Sequence, residues 1–218
     1  LDAMLFQHRL HGVVEGGEIP YTPEARKKKE ENQANWLSGD PEIKCYLPGV
    51  PRATYMPFPF QIFQSDKAFA IAYEYAGAYR NIYLKDPGPP QVDSWMGQSV
   101  GRWEGDTLVV EATGFNDQSW FDRSGNYHSD ALKVVERYTP QGPDHLWYEA
   151  TIDDKNVFSR PWKIRMPLYR RLEKNAQLLG LQTLAAAGHE AHLVHEHVPV
   201  HVDGDHVAVD ADHSALLL

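Results

Sequence analysis

The sequence predicts a mainly β protein, an antiparallel up-and-down barrel of about eight strands with one helix before it and one after it. Three observations carry this. First, eight short runs between Phe60 and Met166 carry strand signals: Gln61–Ser65, Phe69–Tyr75, Tyr79–Leu84, Gln98–Trp103, Thr107–Thr113, Leu132–Thr139, Leu146–Asp153 and Trp162–Met166. Second, turn residues separate many of them, at Ser65-Asp66-Lys67, Ala76-Gly77, Asp86-Pro87-Gly88, Glu104-Gly105-Asp106 and Pro140–Asp144. Third, no helical periodicity interleaves them, as a parallel sheet would require. A barrel of that size has an interior about wide enough for one small ligand.

Composition agrees. The 218 residues are 42% hydrophobic and 11% aromatic, enough for a real core. No run approaches the ~18–20 apolar residues of a membrane span. The opening LDAMLFQHRL carries no signal-peptide pattern. The net charge of −9 owes much to six carboxylates after the last cation, Lys174: Glu190, Glu196, Asp203, Asp205, Asp210 and Asp212. The remaining surface has no basic stripe, which argues against a nucleic-acid partner. The single Cys45 excludes an intrachain disulfide framework and a cysteine-based zinc cluster.

Residues 1–59 lead into the barrel. Thr22 suits a helix N-cap, with Pro23 at the first helical position and Glu24 in the first turn. The helix runs through ARKKKEENQANW to Gly39, a stop signal. Lys27-Lys28-Lys29 reads as a solvated face, and only Ala34, Trp36 and Leu37 offer an apolar seam. From Pro41 to Pro59 the proline density excludes helix and central strand. This segment reads as a strap across a barrel mouth or sheet edge, packed through Tyr46, Tyr55, Met56, Phe58 and Phe60. Arg52 in it is either a surface residue with a packed stem or a buried reader of an anion or carboxylate.

Residues 60–166 are the barrel. Its most informative stretch is Gln98–Asn116, a hairpin turning at Glu104-Gly105-Asp106 that hands Asn116 and the following loop to one barrel end. Residues 167–180 read as the closing helix, opened by Pro167, with Leu168, Leu172, Ala176 and Leu179 at helical spacing. Residues 181–218 form an acidic tail holding seven of the eleven histidines. Three readings of it stand. It is a metal-binding tract for zinc or copper, with His195, His197 and His201 as ligands; a strand pair turning at Asp203-Gly204; or sequence from an altered reading frame in GC-rich DNA.

The sharpest candidate for chemistry is His128-Ser129-Asp130. If it begins the strand that runs to Thr139, His128 and Asp130 share one face, and a carboxylate there prepares the imidazole as general base or acid. The alternative is a turn histidine capped by Asp130. In VVERYT, Glu136 and Arg137 point to opposite faces; either they join a cross-strand ion pair or one faces inward to orient a ligand. Aromatic strands supply pocket walls, and Tyr55, Tyr73, Trp103, Asn116, Trp120, Arg137 and Tyr148 join Arg52 as candidate ligand-binding residues. Aromatics on the outer face would instead suit a carbohydrate. The sequence holds no GxSxG elbow, P-loop, GxGxxG, CxxC or HExxH.

At GRWEGDTLVVEATGFN, WFDRSGNYHSDAL and VVERYT, preceded by PGVPR, the sequence resembles a large group of uncharacterised bacterial proteins often made with an export signal. The resemblance spans roughly Asp40 to Leu179. It implies a lipocalin-like barrel and a periplasmic or secreted location, and it supplies no catalytic residue. Members of the group usually begin with a Gly-Trp-bearing strand, not found before Thr22 here. They also follow the LEKNAQLL helix with a cysteine, the partner the resemblance implies for Cys45, where this chain has Gly180 and the histidine-rich tail.

These readings lead to a barrel enclosing a small apolar or aromatic molecule. A cofactor-independent lyase, isomerase or cyclase step would be run by His128 with Asp130, helped by Arg52 or Glu136. Two alternatives stand beside it: a non-catalytic ligand- or glycan-binding protein, and a metal-dependent enzyme using His128 with tail histidines.

Overall fold

The computed structural model describes residues 17–172, Leu178 and 216–217, and shows a mainly β protein whose curled sheet makes a half-barrel. Its strands are β1 (Phe60–Gln64), β2 (Ala68–Tyr73), β3 (Tyr79–Tyr83), β4 (Gln98–Glu104), β5 (Thr107–Thr113), β6 (Lys133–Pro140), β7 (His145–Asp153), β8 (Trp162–Tyr169) and β9 (Leu216–Leu217). They lie in the order β8-β7-β6-β5-β4-β3-β2-β1-β9. The up-and-down expectation fails at one place: β3 and β4 are parallel, paired at Ile82–Ser99 and Tyr83–Val100. A parallel pair needs a long return path, and the proline-rich segment from Leu84 to Gly97 provides it.

Period-two alternation sorts the two faces. Ser99, Val110, Ala112, Val134, Glu136, Tyr138, Tyr148, Ala150 and Ile152 turn inward and are buried. Outward, Lys133 pairs with Glu111 at 2.7 Å, Arg137 with Glu104 at 2.9 Å and Lys163 with Glu149 at 3.1 Å. Such partly exposed pairs contribute about 0–1 kcal/mol each and mainly mark the solvent face. The β4–β5 hairpin closes with Glu104 opposite Thr107 and Gly105 at φ +61, a conformation that suits glycine.

The first helix, α1, spans Pro23–Ala34, and the Thr22 side chain accepts from the Ala25 amide at 3.3 Å. The expected seam is not what docks it. Trp36 and Leu37 belong to a separate turn, α2 (Trp36–Gly39), and both are exposed. Instead α1 approaches by its backbone: a Cβ on Gly125 would stand 2.6 Å from the Gln33 nitrogen and 2.7 Å from the Lys29 carbonyl oxygen. Asn32 donates to the Gly125 carbonyl at 3.3 Å, and the Lys28 ammonium lies 4.5 Å over the Tyr127 ring. Gly125 also holds φ +81. Gly125→Ala is therefore expected to cost about 2 kcal/mol, from clash and backbone strain together. Urea unfolding measures the loss, and faster amide exchange within α1 identifies the helix as the part released.

The strap departs from expectation by containing helical turns, a 3₁₀ turn at Pro41–Lys44 and α3 at Arg52–Tyr55. Proline is tolerated because it opens each turn: Pro41 is the first residue of one and Pro51 the N-cap of the other, where no amide is needed. Ala53 and Thr54 are buried. The second helix does not start at Pro167. Pro167, Leu168 and Tyr169 continue β8, paired with Trp147, Leu146 and His145, and an edge strand can carry a proline. The rest of that helix, apart from Leu178, lies largely outside the described residues, as do His195, His197, His201 and Asp203-Gly204. Among the described residues no helix is long and apolar enough to cross a membrane.

Candidate functional site

Two polar clusters stand in the described fold, one on the inner face of the sheet and one beneath the strap. In the inner cluster Glu136, fully buried, accepts from Tyr148 at 2.8 Å and Tyr138 at 3.0 Å and pairs through its other oxygen with Arg80. Arg80 donates through Nε to Ser99 at 2.8 Å, and Tyr73 meets Thr54 nearby at 3.1 Å. Burial, then the negative Glu136, pushes the Tyr148 and Tyr138 hydroxyls well above their ordinary range. Both oxygens of Glu136 are thus engaged by chain donors, which makes the residue a structural acceptor. Of the two sequence readings for the Glu136-Arg137 pair, Glu136 faces inward, while Arg137 faces outward to Glu104 and opposite Glu149.

The strap cluster is built on Arg52, only 2% exposed. Its guanidinium forks onto Asp40 at 3.1 and 3.2 Å, reaches Glu42 at 2.8 Å and donates to the Trp120 carbonyl at 3.2 Å. It is the buried carboxylate-reader of the two readings open for it. Glu42 then bridges to Arg123 at 2.9 and 3.0 Å, and these two cations hold its carboxyl below the usual range. Arg52 Nε and the Tyr75 hydroxyl are buried without a hydrogen-bond partner. Burial, opposed by Arg52, pushes that hydroxyl up to about 12.

Beside this cluster lies His128, 3% exposed. Nδ1 is 2.9 Å from the Ser129 carbonyl oxygen and Nε2 is 2.9 Å from Ser119 Oγ. A carbonyl only accepts, so Nδ1 carries the proton. Burial lowers the imidazole's pKa, so the ring is neutral and Nε2 accepts from the Ser119 hydroxyl. That is the alignment of a hydroxyl with its base. The expected partner Asp130 is not part of it. β6 starts only at Lys133, so His128 sits in a loop, Asp130 in the Ser129–Leu132 turn that follows it, and the two share no strand face; Asp130 is exposed. The nearby carboxylate is Asp154, 1% exposed, which accepts from the Ser129 amide at 2.6 Å and the Ser129 hydroxyl at 2.9 Å. Asp154 holds Ser129, whose carbonyl holds His128.

Ser119 is also where this chain of contacts reaches a cleft. Ser119, Arg52, Glu42, Tyr46, Tyr75 and Trp120 line a cleft of about 10 Å³, the room of one water-sized group. Aromatic rings frame it: Tyr46 lies 5.2 Å from Trp95, and Tyr75 stacks on half-exposed Phe58 at 5.3 Å. The strap's close fit depends on Gly49, at φ +73, where a Cβ would stand 2.6 Å from Ser119 Oγ.

Of the candidate ligand-binding residues, the structure gathers Arg52 and Trp120 at the cleft. Tyr73 and Tyr148 belong to the inner cluster. Tyr55 closes α3 and packs on the core. Trp103 is half-exposed at the hairpin end against Phe69, and Asn116 caps a turn by accepting from the Gln118 amide at 3.2 Å. Ser119, Asp154 and Arg80 were missed. Arg80 had a signal, as the one charge in the apolar run YRNIYL, and Asp154 had another in the turn-forming DDKN. Ser119 had none. Among the described residues no group of three metal-ligating side chains gathers, and both nitrogens of His128 are engaged. No protein-family model, curated protein or solved structure matches the chain.

Proposed function

We propose that the protein binds a small, mainly apolar or aromatic molecule over the strap cleft and performs acid/base chemistry on a polar group seated within it. One observation carries this reading: Ser119, a buried residue in the wall of the cleft, carries the hydroxyl that donates to the neutral, buried His128. His128 withdraws the Ser119 proton, so the activated oxygen meets the ligand, while the Arg52 guanidinium lies beside any negative charge that develops. The Phe58–Tyr75 stack offers a ring face to the ligand's apolar part. No nucleotide cofactor is required. The role first sought for Asp130 passes to Asp154 and Ser129, which orient the imidazole.

An activated-serine probe tests this without a known substrate. A small aryl phosphonate is expected to label Ser119, with Ser119→Ala unlabelled and His128→Asn slowed by about 10²–10⁴-fold, the usual contribution of a general base. The rate should follow the neutral imidazole. Its folded pKa is below the ordinary 6.5, so labelling stays full at neutral pH and falls only at lower pH. Labelling that ignores His128→Asn, or no labelling of Ser119, defeats the proposal.

A non-catalytic reading has its own support in the inner cluster, where Glu136 is saturated by Arg80, Tyr138 and Tyr148. It predicts ligand binding at the strap with no labelling.

A further inference from the structure

The outer face of the sheet carries a second concavity, independent of the strap cleft. Between the Asp86–Pro90 loop and strands β4 and β5 runs an open groove of about 360 Å³, within the range of small-molecule sites. Asp86, Gln98, Val100, Arg102, Glu111 and Thr113 line it. These belong to the solvent side of the strands, opposite to Ser99 and Glu136.

The groove is preformed. Gln98 donates to the Gly88 carbonyl at 2.7 Å and the Gly88 amide to Asp86 at 2.8 Å. Gly114, at φ +71, lets the loop close on it so tightly that a Cβ there would stand 2.6 Å from the Pro90 ring. Little ordering remains to be done by a ligand.

Its charges are largely neutralised internally. Arg102 forks onto Glu104 at 2.8 and 3.2 Å, and Glu111 holds Lys133 at 2.7 Å. Nothing is left over to attract a phosphate or sulfate. What remains are planar carboxylate, amide and guanidinium groups, donors and acceptors for hydroxyls. On the β3 side an aromatic strip adjoins them. Tyr83 stands in register with Val100, and both Tyr83 and Tyr79 are exposed. The facing positions on β2 are Ala68 and Ala72, too small to cover the rings.

We propose that this groove binds an uncharged oligosaccharide, its hydroxyls on Gln98, Glu111 and Arg102 and a C–H face on Tyr83. A sugar chain matches both halves of the surface, being hydroxyl-rich at its edges, apolar on its ring faces and uncharged. The open form of the groove suits an internal stretch of chain as well as an end.

Isothermal titration of the full chain tests it, using cellohexaose, xylohexaose, mannohexaose and chitohexaose, with heparin and polygalacturonate as charged comparisons. Saturable binding of at least one neutral hexasaccharide is expected, weakened roughly tenfold or more by Tyr83→Ala and by Glu111→Gln while the unfolding midpoint holds. Both substitutions are on the solvent face, so one serves if the other disturbs folding. Absence of saturable binding across the neutral panel overturns the proposal. So does binding confined to the charged polymers, or binding that neither substitution weakens. Phosphonate labelling at Ser119 is read separately, so either proposal fails alone.

Discussion

Glu136→Ala is expected to destabilise the fold by about 3–5 kcal/mol, the cost of leaving a buried charge without its partner. The substitution strands Arg80, 2% exposed, on Ser99 alone and removes the acceptor of two buried tyrosine hydroxyls. Domains of this size hold about 5–15 kcal/mol in all, so the variant should sit near the edge of folding. Urea unfolding gives the loss. The origin of the effect is separable. Glu136→Gln combined with Arg80→Met removes both charges while keeping an acceptor for Tyr138 and Tyr148, and much of the loss should return. If the double variant is as weak as Glu136→Ala, packing and not charge is what Glu136 supplies.

That cluster shows which parts of the fold were legible in the sequence. Strand parity is local, so Glu136 and Arg137 inside VVERYT had to point to opposite faces, and Glu136 is the inward one. Its partner was not local. Arg80 lies 56 residues away on β3, and the β3–β4 register, with Ile82 beside Ser99, puts it on the same face. The parallel pairing itself was hidden, because turn residues in the 84–97 segment look the same whether the chain reverses or crosses over. Similarly, the capped start of α1 was readable from Thr22-Pro23-Glu24, whereas its docking, through the single buried Ala25 and a close backbone approach at Gly125, leaves no apolar periodicity.

The candidate site was legible to the same degree. His128 was recognisable as a residue whose chemistry needs orientation, but the groups that orient it come from two connections, β5–β6 and β7–β8. Ser119 is nine residues before it and Asp154 follows β7, so a search for a carboxylate two residues away found Asp130, which is exposed. Burial also changes what the histidine does. A solvated His–Asp pair would raise the imidazole's pKa, whereas this ring is neutral because desolvation outweighs the Ser129 carbonyl and the charges of Asp154 and Asp117. Stability follows with a definite sign. As pH falls below about 6.5 the unfolded chain takes up a proton that folded His128 refuses, so this residue's contribution is lost toward acid.

Arg52→Met should be the second large loss, about 3–5 kcal/mol, and it should reach the site as well as the fold. Asp40, 2% exposed, is forked onto Arg52 and also caps the 3₁₀ turn through the Glu42 amide at 2.9 Å. Without the guanidinium its charge is buried beside an apolar stem. Arg52 also ties the strap to the Trp120 carbonyl, one residue from Ser119, so the cleft loses its anchor together with its cation. Arg52→Lys distinguishes the two losses. A lysine restores one positive charge near Asp40 but cannot fork onto the carboxylate and reach Trp120 at once. Stability measured in urea should recover in part with lysine, while phosphonate labelling of Ser119 should stay depressed. Full recovery of labelling with lysine would mean that charge alone, without the tie to Trp120, sets the position of Ser119.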